Sequence, residues 1–237
     1  MYQEPKNSIS FKVYGRYALF TDPVTKIGGE KYSYQLPTYE AIKGVCKSIY
    51  WKPTLIWYVD KVRIVKQIQT QTKGTKPLLW SGGNSLAIYT FLHEVEYEVQ
   101  AHFEWNLHRP ELKKDRINGK HYAIAKRSLE KGGRQDIFLG TRDCQAYVEP
   151  CEFDKTTGDY DKVVELGFGL MFHSFDYPDE TGKNELHTNF WQATMKQGIL
   201  EFPRPEECHI KRLVRPMDVK QFNEGENFLS ITDEEKL

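Results

Sequence analysis

Residues 118–122, with the sequence NGKHY, carry the residue types that phosphate chemistry requires. If Asn118 caps a helix, Lys120 and His121 lie in its first turn, where free backbone N–H groups and the positive end of the helix dipole favour a phosphate. This positive field disfavours an imidazolium, so His121 stays available as a neutral base near neutral pH. A base, a cation and an anion cradle suit attack of a ribose 2′-OH on the adjacent phosphate. The alternative is an ordinary lysine and histidine at an exposed helix start.

A second candidate is the segment SIYWKP at residues 48–53. The Tyr50 hydroxyl can orient a reacting group or donate a proton, and the Lys52 ammonium can hold a phosphate. The alternative is that Tyr50 and Trp51 are packing residues that close the end of a helix. The residues alone leave both interpretations open.

A third candidate is the loop KIGGEK at residues 26–31. Gly28 and Gly29 permit a close approach of the backbone to a ligand, and Lys26 adds a positive charge. The alternative is a plain turn. Because the loop matches neither GxGxxG nor a Walker loop, we expect no nucleotide cofactor.

Metal-ligating residue types are present but not at metal-binding spacings. Cys144, Cys151, Cys208 and His209 lack zinc-finger spacing. Asp159 and Asp161 could hold a cation, although GDYDK is typical of a loop between strands. We therefore expect neither a metal ion nor a cofactor. The scattered cysteines, with no CxxC, also argue against a disulfide framework and favour a reducing cytoplasm.

The zero net charge of the 237-residue chain hides an asymmetry between its halves. Residues 1–150 hold 23 Lys and Arg against 15 Asp and Glu, a net of +8, whereas residues 151–237 hold a net of −8. The basic half predicts an anionic partner, and residues 109–134 are its densest part. The phosphate contacts predicted there are Arg109, Arg116, Arg127 and Arg134, each of which could instead be a plain surface charge.

The elements that must position these residues follow a recognisable order. Aromatic and β-branched runs predict strands at residues 10–20, 54–69, 93–105 and 136–148, and helical spacing predicts helices at 39–51 and 120–131. In the clearest strand, 93–105, apolar and polar residues alternate without a break, which predicts one buried and one polar face. The order β-α-β-β-α-β predicts an α+β fold with a ferredoxin-like domain over residues 1–150.

Residues 151–237 predict a small antiparallel β domain. Strand runs lie at 163–175, 186–195 and 199–202, and the acidic segment 223–237 has the composition of a disordered tail. No window holds 18 consecutive apolar residues, and the N-terminus lacks the apolar core of a signal peptide. We therefore expect no contact with a membrane.

Several long stretches resemble one known family. They include YALFTDPVTKIGGEKYSYQLPTYEAIKGV, SIYWKP, AHFEWNLHRP, GKHYAIAKRSL, GGRQDIFLGTRDCQAYVEPCEF, YPDETG and FPRPE. In order and content they resemble the subtype I-C CRISPR-associated Cas5 family of the RAMP superfamily. The resemblance runs from about residue 10 to about residue 216 and leaves out the acidic tail.

The resemblance implies a metal-independent endoribonuclease of the prokaryotic cytoplasm. Such an enzyme cuts precursor CRISPR RNA near the base of the repeat stem-loop, keeps the 5′ handle and joins the other subunits of the interference complex, Cascade. It implies a ferredoxin-like domain followed by a small β-sheet domain. The catalytic tyrosine of the family falls at Tyr50, in IYWKP, and its lysine and histidine fall at Lys120 and His121, in GKHY. The products would be a 2′,3′-cyclic phosphate, or its opened phosphate, and a 5′-OH.

Two other classes remain open on the sequence. A non-catalytic subunit would use the same basic surface to hold a guide-RNA 5′ handle without cutting it. A metal-dependent DNA nuclease would need a carboxylate cluster, and the basic half could also hold DNA without sequence preference. The presence of GKHY together with Tyr50 favours the ribonuclease, but it does not say which of Tyr50 and His121 takes the proton.

Overall fold

A single mixed sheet, mostly antiparallel, runs through the part of the chain that the computed structural model describes, residues 7–26 and 29–234. Its strands are β1 (Ser8–Ala18), β2 (Lys31–Tyr32), β3 (Leu55–Ile64), β4 (Thr70–Thr75), β5 (Ala87–Trp105), β6 (Ile137–Phe138), β7 (Gln145–Pro150), β8 (Leu166–Asp176), β9 (Glu185–Lys196), β10 (Ile199–Glu201) and β11 (Ile210–Pro216). The helices are α1 (Pro23–Lys26), α2 (Tyr39–Ile49), α3 (Lys120–Glu130), α4 (Pro178–Thr181) and α5 (Ile231–Glu234), with 3₁₀ turns at Pro110–Asp115 and Pro205–Glu207.

The strand order is β11-β9-β10-β3-β5-β1-β7-β6, with β2 and β4 paired to β5 and β8 paired to β9. Around β5 and β1 the neighbours are antiparallel, in the local order β3-β5-β1-β7. The two long helices follow β1 and β5 in the chain. This arrangement brings the end of α2 close to the start of α3.

The longest strand, β5, confirms the predicted alternation only in part. Its apolar face is buried, through Val95, Tyr97, Val99, Ala101 and Phe103. The face expected to be polar and solvated is buried as well at Glu98 and His102. A Glu98 carboxylate oxygen accepts a hydrogen bond from the Asp154 backbone N–H at 2.8 Å. The central part of the strand is therefore covered on both faces, where a segment after residue 150 packs over the polar side, whereas Glu94 and Glu104 on that side are exposed.

The chain after residue 150 continues the same sheet. Strand β10 pairs with β3, Ile199 opposite Arg63 and Glu201 opposite Lys61. The boundary that we predict at residue 150 is thus not marked by a break in the sheet. In the described chain, no helix has the length and apolar character needed to cross a membrane.

The acidic tail also differs from its prediction. Phe228, Ser230 and Ile231 are buried, and Ile231 belongs to the main hydrophobic core. The apolar residues interspersed among the acidic ones explain the difference, because burying each such side chain stabilises the docked tail by roughly 1.5–3 kcal/mol.

Both predicted long helices are confirmed, with one correction at a helix start. The Thr38 hydroxyl accepts a hydrogen bond from the Ala41 N–H at 3.2 Å and caps α2. At α3 the N-cap is Gly119 with φ 77°, not Asn118, and no side chain caps it. A positive φ is accessible to glycine without a Cβ clash, so the turn is made at Gly119.

Candidate active site

Tyr50 and His121 meet where α2 ends and α3 begins. The Tyr50 Oη atom lies 2.8 Å from His121 Nδ1, and both side chains are 0% exposed. Tyr50 is the C-cap residue of α2, and His121 is the second residue of α3. Two residues that are 71 positions apart in the chain therefore form one hydrogen-bonded pair.

The position of the proton on His121 follows from its second hydrogen bond. Nε2 lies 2.6 Å from the backbone oxygen of Asp115. Because a carbonyl oxygen can only accept, Nε2 carries the proton in the neutral ring and Nδ1 presents a lone pair. The Tyr50 hydroxyl therefore donates to Nδ1. The pair is a phenol hydrogen-bonded to an imidazole base.

Burial lowers the pKa of His121 below its ordinary value, and the charges of Lys52 and Lys120 lower it further. The hydrogen bond to the Asp115 backbone and the Asp115 charge act in the opposite direction. The lowering prevails, so the imidazole is neutral at physiological pH and can accept a proton.

The surrounding packing fixes the two rings. The Tyr50 backbone N–H donates to the Cys46 oxygen at 3.0 Å, and its carbonyl accepts from Trp57 Nε1 at 2.8 Å. The Trp105 ring meets His121 edge to face, with ring centroids 5.3 Å apart. The Arg134 guanidinium carbon lies 5.0 Å from the centroid of the Tyr50 ring. Neither reactive side chain can rotate without disturbing a neighbour.

The two lysines predicted beside the Tyr50–His121 pair, here called the dyad, differ in their exposure. Lys120 is the first residue of α3 and is partly exposed. Lys52 is buried, and its ammonium donates to the backbone oxygen of Leu229 at 3.0 Å. Both charges act on His121. The structure therefore brings together all three predicted catalytic residues and Lys52.

Sequence reasoning missed Asp115 and the segment after Phe228. The Asp115 carboxylate accepts from the Thr54 hydroxyl through Oδ2 at 2.5 Å and from the Ile231 backbone N–H through Oδ1 at 2.6 Å. Asp115 lies in a charged loop and Ile231 in an acidic tail, so neither pattern marks a site. Only the three-dimensional approach of these segments to His121 could identify them.

A basic cavity lies beside the dyad. It has a volume of about 360 Å³ and is lined by Ile124, Arg127, Ser128, Lys131, Gly133, Arg134 and Ile231. Arg134 links it to the site through its contact with the Tyr50 ring. Two of the predicted phosphate contacts, Arg127 and Arg134, thus line one concave surface next to the reactive groups.

The other two predicted arginines are engaged within the protein. Arg109 is only 4% exposed, and its guanidinium donates to the Asp179 carboxylate at 2.7 Å. Arg116 donates to the backbone oxygens of Asn106 and Arg109 at 2.7 and 2.6 Å. Both side chains brace the turn that carries Asp115, which is a structural use of their charge.

The structure describes the predicted glycine loop only in part. Lys26 and Gly29 are exposed, and Gly29 has φ 85° and donates its N–H to the Lys26 oxygen at 3.0 Å. Gly28 lies outside the described residues. This local geometry is that of a turn.

The residues considered for a cation have other partners. Asp161 pairs with Arg63 at 2.6 Å, and Asp159 accepts from the Gln67 backbone N–H at 2.7 Å. Within the described ranges, no group of three or more His, Cys, Asp or Glu side chains could hold a metal ion.

Comparison with known proteins gives one consistent group. The family model described as CRISPR-associated protein (Cas5) matches residues 8–203. Two curated relatives are named CRISPR pre-crRNA endoribonuclease Cas5d. The one from Mannheimia succiniciproducens is 27% identical over 87% of this chain and 99% of its own, and the one from Thermus thermophilus is 24% identical over 86% and 95%. A solved structure described as a CRISPR-associated protein has a TM-score of 0.75 and 35% identity, covering 90% of this chain and 98% of its own.

Proposed function

The chain belongs to the CRISPR-associated Cas5 family, and we propose that it is an endoribonuclease that cleaves precursor CRISPR RNA with Tyr50, Lys120 and His121. The observation that carries the proposal is the buried hydrogen bond from Tyr50 to the free lone pair of His121 Nδ1. Its two curated relatives bear the name of the same activity.

The reaction is an internal displacement at phosphorus. The ribose 2′-OH passes its proton to Tyr50 Oη while Tyr50 passes its own to His121 Nδ1, and the 2′-oxygen forms a bond to the phosphorus. The bond from phosphorus to the 5′-oxygen breaks, and the imidazolium returns a proton to that oxygen. The products are a 2′,3′-cyclic phosphate and a 5′-OH. Lys120 and the backbone N–H groups at the start of α3 stabilise the charge that gathers on the phosphorane.

We infer from its membership of this family that the protein binds repeat RNA and assembles with other subunits of a Cascade complex. We infer a ferredoxin-like core from the strand order β3-β5-β1-β7, in which α2 lies between β1 and β3 and α3 between β5 and β7 in the chain. We infer that the strands after residue 150 extend this core and that the protein stays on the 5′ handle after cleavage. Binding to DNA without sequence preference would use the same basic surface.

The proposal is tested by cleavage of a labelled repeat stem-loop under single-turnover conditions. Tyr50→Phe and His121→Ala should each slow cleavage about a hundredfold or more, because each removes a proton-transfer group. The matched control is His187→Ala, at a partly exposed histidine paired with Glu185 on β9. The product should end in a cyclic phosphate. Cleavage at the wild-type rate by either dyad variant would reject the assignment.

A further inference from the structure

Asp115 contacts the dyad from the side opposite Tyr50. It is the last residue of the turn Pro110–Asp115, and its backbone oxygen takes the Nε2 proton of His121. Its carboxylate oxygen Oδ2 lies 3.6 Å from the same Nε2, and the side chain is 2% exposed. One residue therefore presents both a carbonyl and a carboxylate to one edge of the imidazole.

We propose that Asp115 is a positioning residue for His121. Its backbone oxygen fixes the tautomer in which Nδ1 is the base, and its carboxylate balances the imidazolium that forms when Nδ1 takes the proton. This rests on the proposed function. At so short a distance in a buried site, the charge acts with little solvent screening.

If the Asp115 carboxylate has a purely structural role, its replacement should have different effects. Oδ1 and Oδ2 are held by the Ile231 N–H and the Thr54 hydroxyl, so the side chain also anchors two segments. Loss of an anchor would change stability without a defined effect on the titration of His121. Loss of the negative charge would make the imidazolium less stable and lower the pKa of His121.

The test compares Asp115→Asn with Thr54→Val, which keeps the charge and removes one of its donors. In Asp115→Asn, we expect cleavage to slow roughly tenfold or more and the acidic limb of the rate–pH profile to move to lower pH. In Thr54→Val, the carboxylate has one fewer donor, so the limb should stay in place or move to higher pH.

Nuclear magnetic resonance titration of the His121 ring in the free protein gives a second readout that needs no cleavage. The His121 pKa should fall in Asp115→Asn and should not fall in Thr54→Val. An unchanged His121 titration in a folded Asp115→Asn protein would overturn the proposal. If Asp115→Asn does not fold, a fall in Thr54→Val overturns it instead. Absence of cleavage by the wild-type protein would reject only the proposed function, since the titration is read independently.

A separate observation concerns access to the dyad. Tyr50 and His121 are both fully buried, yet the reaction needs a ribose and a phosphate beside them. Residues 228–231 contact the surroundings of the dyad: Lys52 donates to the Leu229 oxygen, the Ile231 N–H donates to Asp115, and Ile231 lines the basic cavity. The Leu229 carbonyl oxygen thus accepts a hydrogen bond from the Lys52 ammonium, as a phosphate oxygen could.

We infer that residues 228–231 form a strap that the RNA displaces when it enters the site. This inference also rests on the proposed function. The strap is attached by the buried side chains of Phe228 and Ile231 and by the hydrogen bonds of Leu229 and Ile231. Displacement is balanced by new contacts of the phosphate with Lys52 and the cavity arginines.

Hydrogen–deuterium exchange tests the inference directly. Binding of a repeat RNA with a non-cleavable 2′-deoxy linkage should speed exchange of the Ile231 amide at least tenfold. Slower or unchanged exchange would overturn the strap, whether or not the protein cleaves RNA.

Variants give an independent check. Ile231→Asp should raise the cleavage rate at sub-saturating RNA several-fold, whereas Leu229→Ala, which keeps the backbone carbonyl, should leave it unchanged. Slower or unchanged cleavage by folded Ile231→Asp would show that the segment supports the site instead of covering it. If Ile231→Asp does not fold, Phe228→Ala takes its place, and it should likewise raise the cleavage rate at sub-saturating RNA.

Discussion

Lys120 and His121 are consecutive in the chain, yet α3 gives them different environments. His121 points into the core beside Tyr50, and Lys120 remains partly exposed at the first position of the helix. Helical geometry explains this, since adjacent residues are separated by about 100° around the axis. A single turn can therefore supply a buried base and a cation that faces the substrate.

Replacing Lys120 by alanine should have two effects on catalysis. The cleavage rate at saturating RNA should fall about a hundredfold, because the phosphorane loses a full positive charge. The acidic limb of the rate–pH profile should move to higher pH, since the Lys120 charge lowers the pKa of His121. Single-turnover rates measured across pH check both effects, with Lys126→Ala on the exposed side of the same helix as control. A limb that does not move would contradict the electrostatic coupling.

His173, which lies on β8 outside the candidate site, makes the stability of the protein depend on pH. Its burial lowers the pKa of the imidazole to about 4, and the ring stacks on Tyr39 with centroids 4.2 Å apart. The unfolded chain takes this proton near pH 6.5 and the folded chain near pH 4, so the unfolded state binds more protons between these values. Stability is therefore full above pH 6.5 and declines as pH falls through this window.

The expected loss from His173 is up to ~3 kcal/mol at the low end of the window. Denaturant unfolding at several pH values measures it. His173→Phe keeps an aromatic ring against Tyr39 and removes the titrating group, so its stability should depend less on pH over the same range. Equal pH dependence in the two proteins would assign the effect to other groups.

At the scale of elements, the turn between β6 and β7 depends on one glycine. Gly140 has φ 90°, and a Cβ there would overlap the backbone oxygen of Leu19. Gly132, just after α3, has a similar φ of 84° but faces open space in the described structure. Alanine substitutions at these two glycines therefore distinguish the cost of a positive φ from the cost of steric overlap.

Gly140→Ala should lower the free energy of unfolding by roughly 3 kcal/mol or more, because the added carbon forces the Leu19 backbone to move. Gly132→Ala should cost only about 1 kcal/mol, the strain of a positive φ alone. Chemical denaturation of both variants checks the difference. Equal losses would mean that the β6–β7 turn adjusts without cost.

The sequence predicts the helices that carry the site, but not the contacts that distant segments of the chain make with it. Helical spacing over residues 39–51 and 120–131 is sufficient to predict α2 and α3 with nearly correct bounds. The prediction that Asn118 caps α3 is wrong. Asparagine favours the N-cap position, but the turn before α3 requires a positive φ, and Gly119 supplies it. Local patterns also could not predict that Ile231 would dock against Asp115, 116 residues earlier.

At the scale of the whole molecule, we expect basic side chains that are exposed to solvent, such as Arg127 and Arg134, to contact the RNA backbone. Arg127→Ala and Arg134→Ala should each flatten the slope of log affinity against log salt by a little under one unit. Arg109→Ala should leave the slope unchanged, because its guanidinium already pairs with Asp179. Equilibrium binding of the repeat stem-loop at several salt concentrations measures all three slopes. A flatter slope for Arg109→Ala would show that this ion pair opens in the complex.

The fold brings a base and a cation together, and in the proposed reaction this combination makes the 2′-oxygen the attacking atom. In the proposed reaction the Tyr50–His121 pair is the base that activates a hydroxyl of the substrate, and Lys120 with the start of α3 supplies charge stabilisation of the kind that a divalent cation gives elsewhere. Cleavage should therefore continue in EDTA at a rate within about twofold of the untreated rate. A 2′-deoxy substitution immediately 5′ of the cut phosphate should abolish it, because the nucleophile is then absent.

These two measurements separate the proposed reaction from hydrolysis by water. A deoxy substrate cut at the ordinary rate would show that the 2′-oxygen is not the nucleophile, and loss of that cleavage in EDTA would show that a metal ion activates water. Asp159 and Asp161 would then be the first carboxylates to replace, although Asp161 would have to leave Arg63 to bind a cation. Intact cleavage in EDTA combined with no cleavage of the deoxy substrate is the outcome that the Tyr50–His121 geometry predicts.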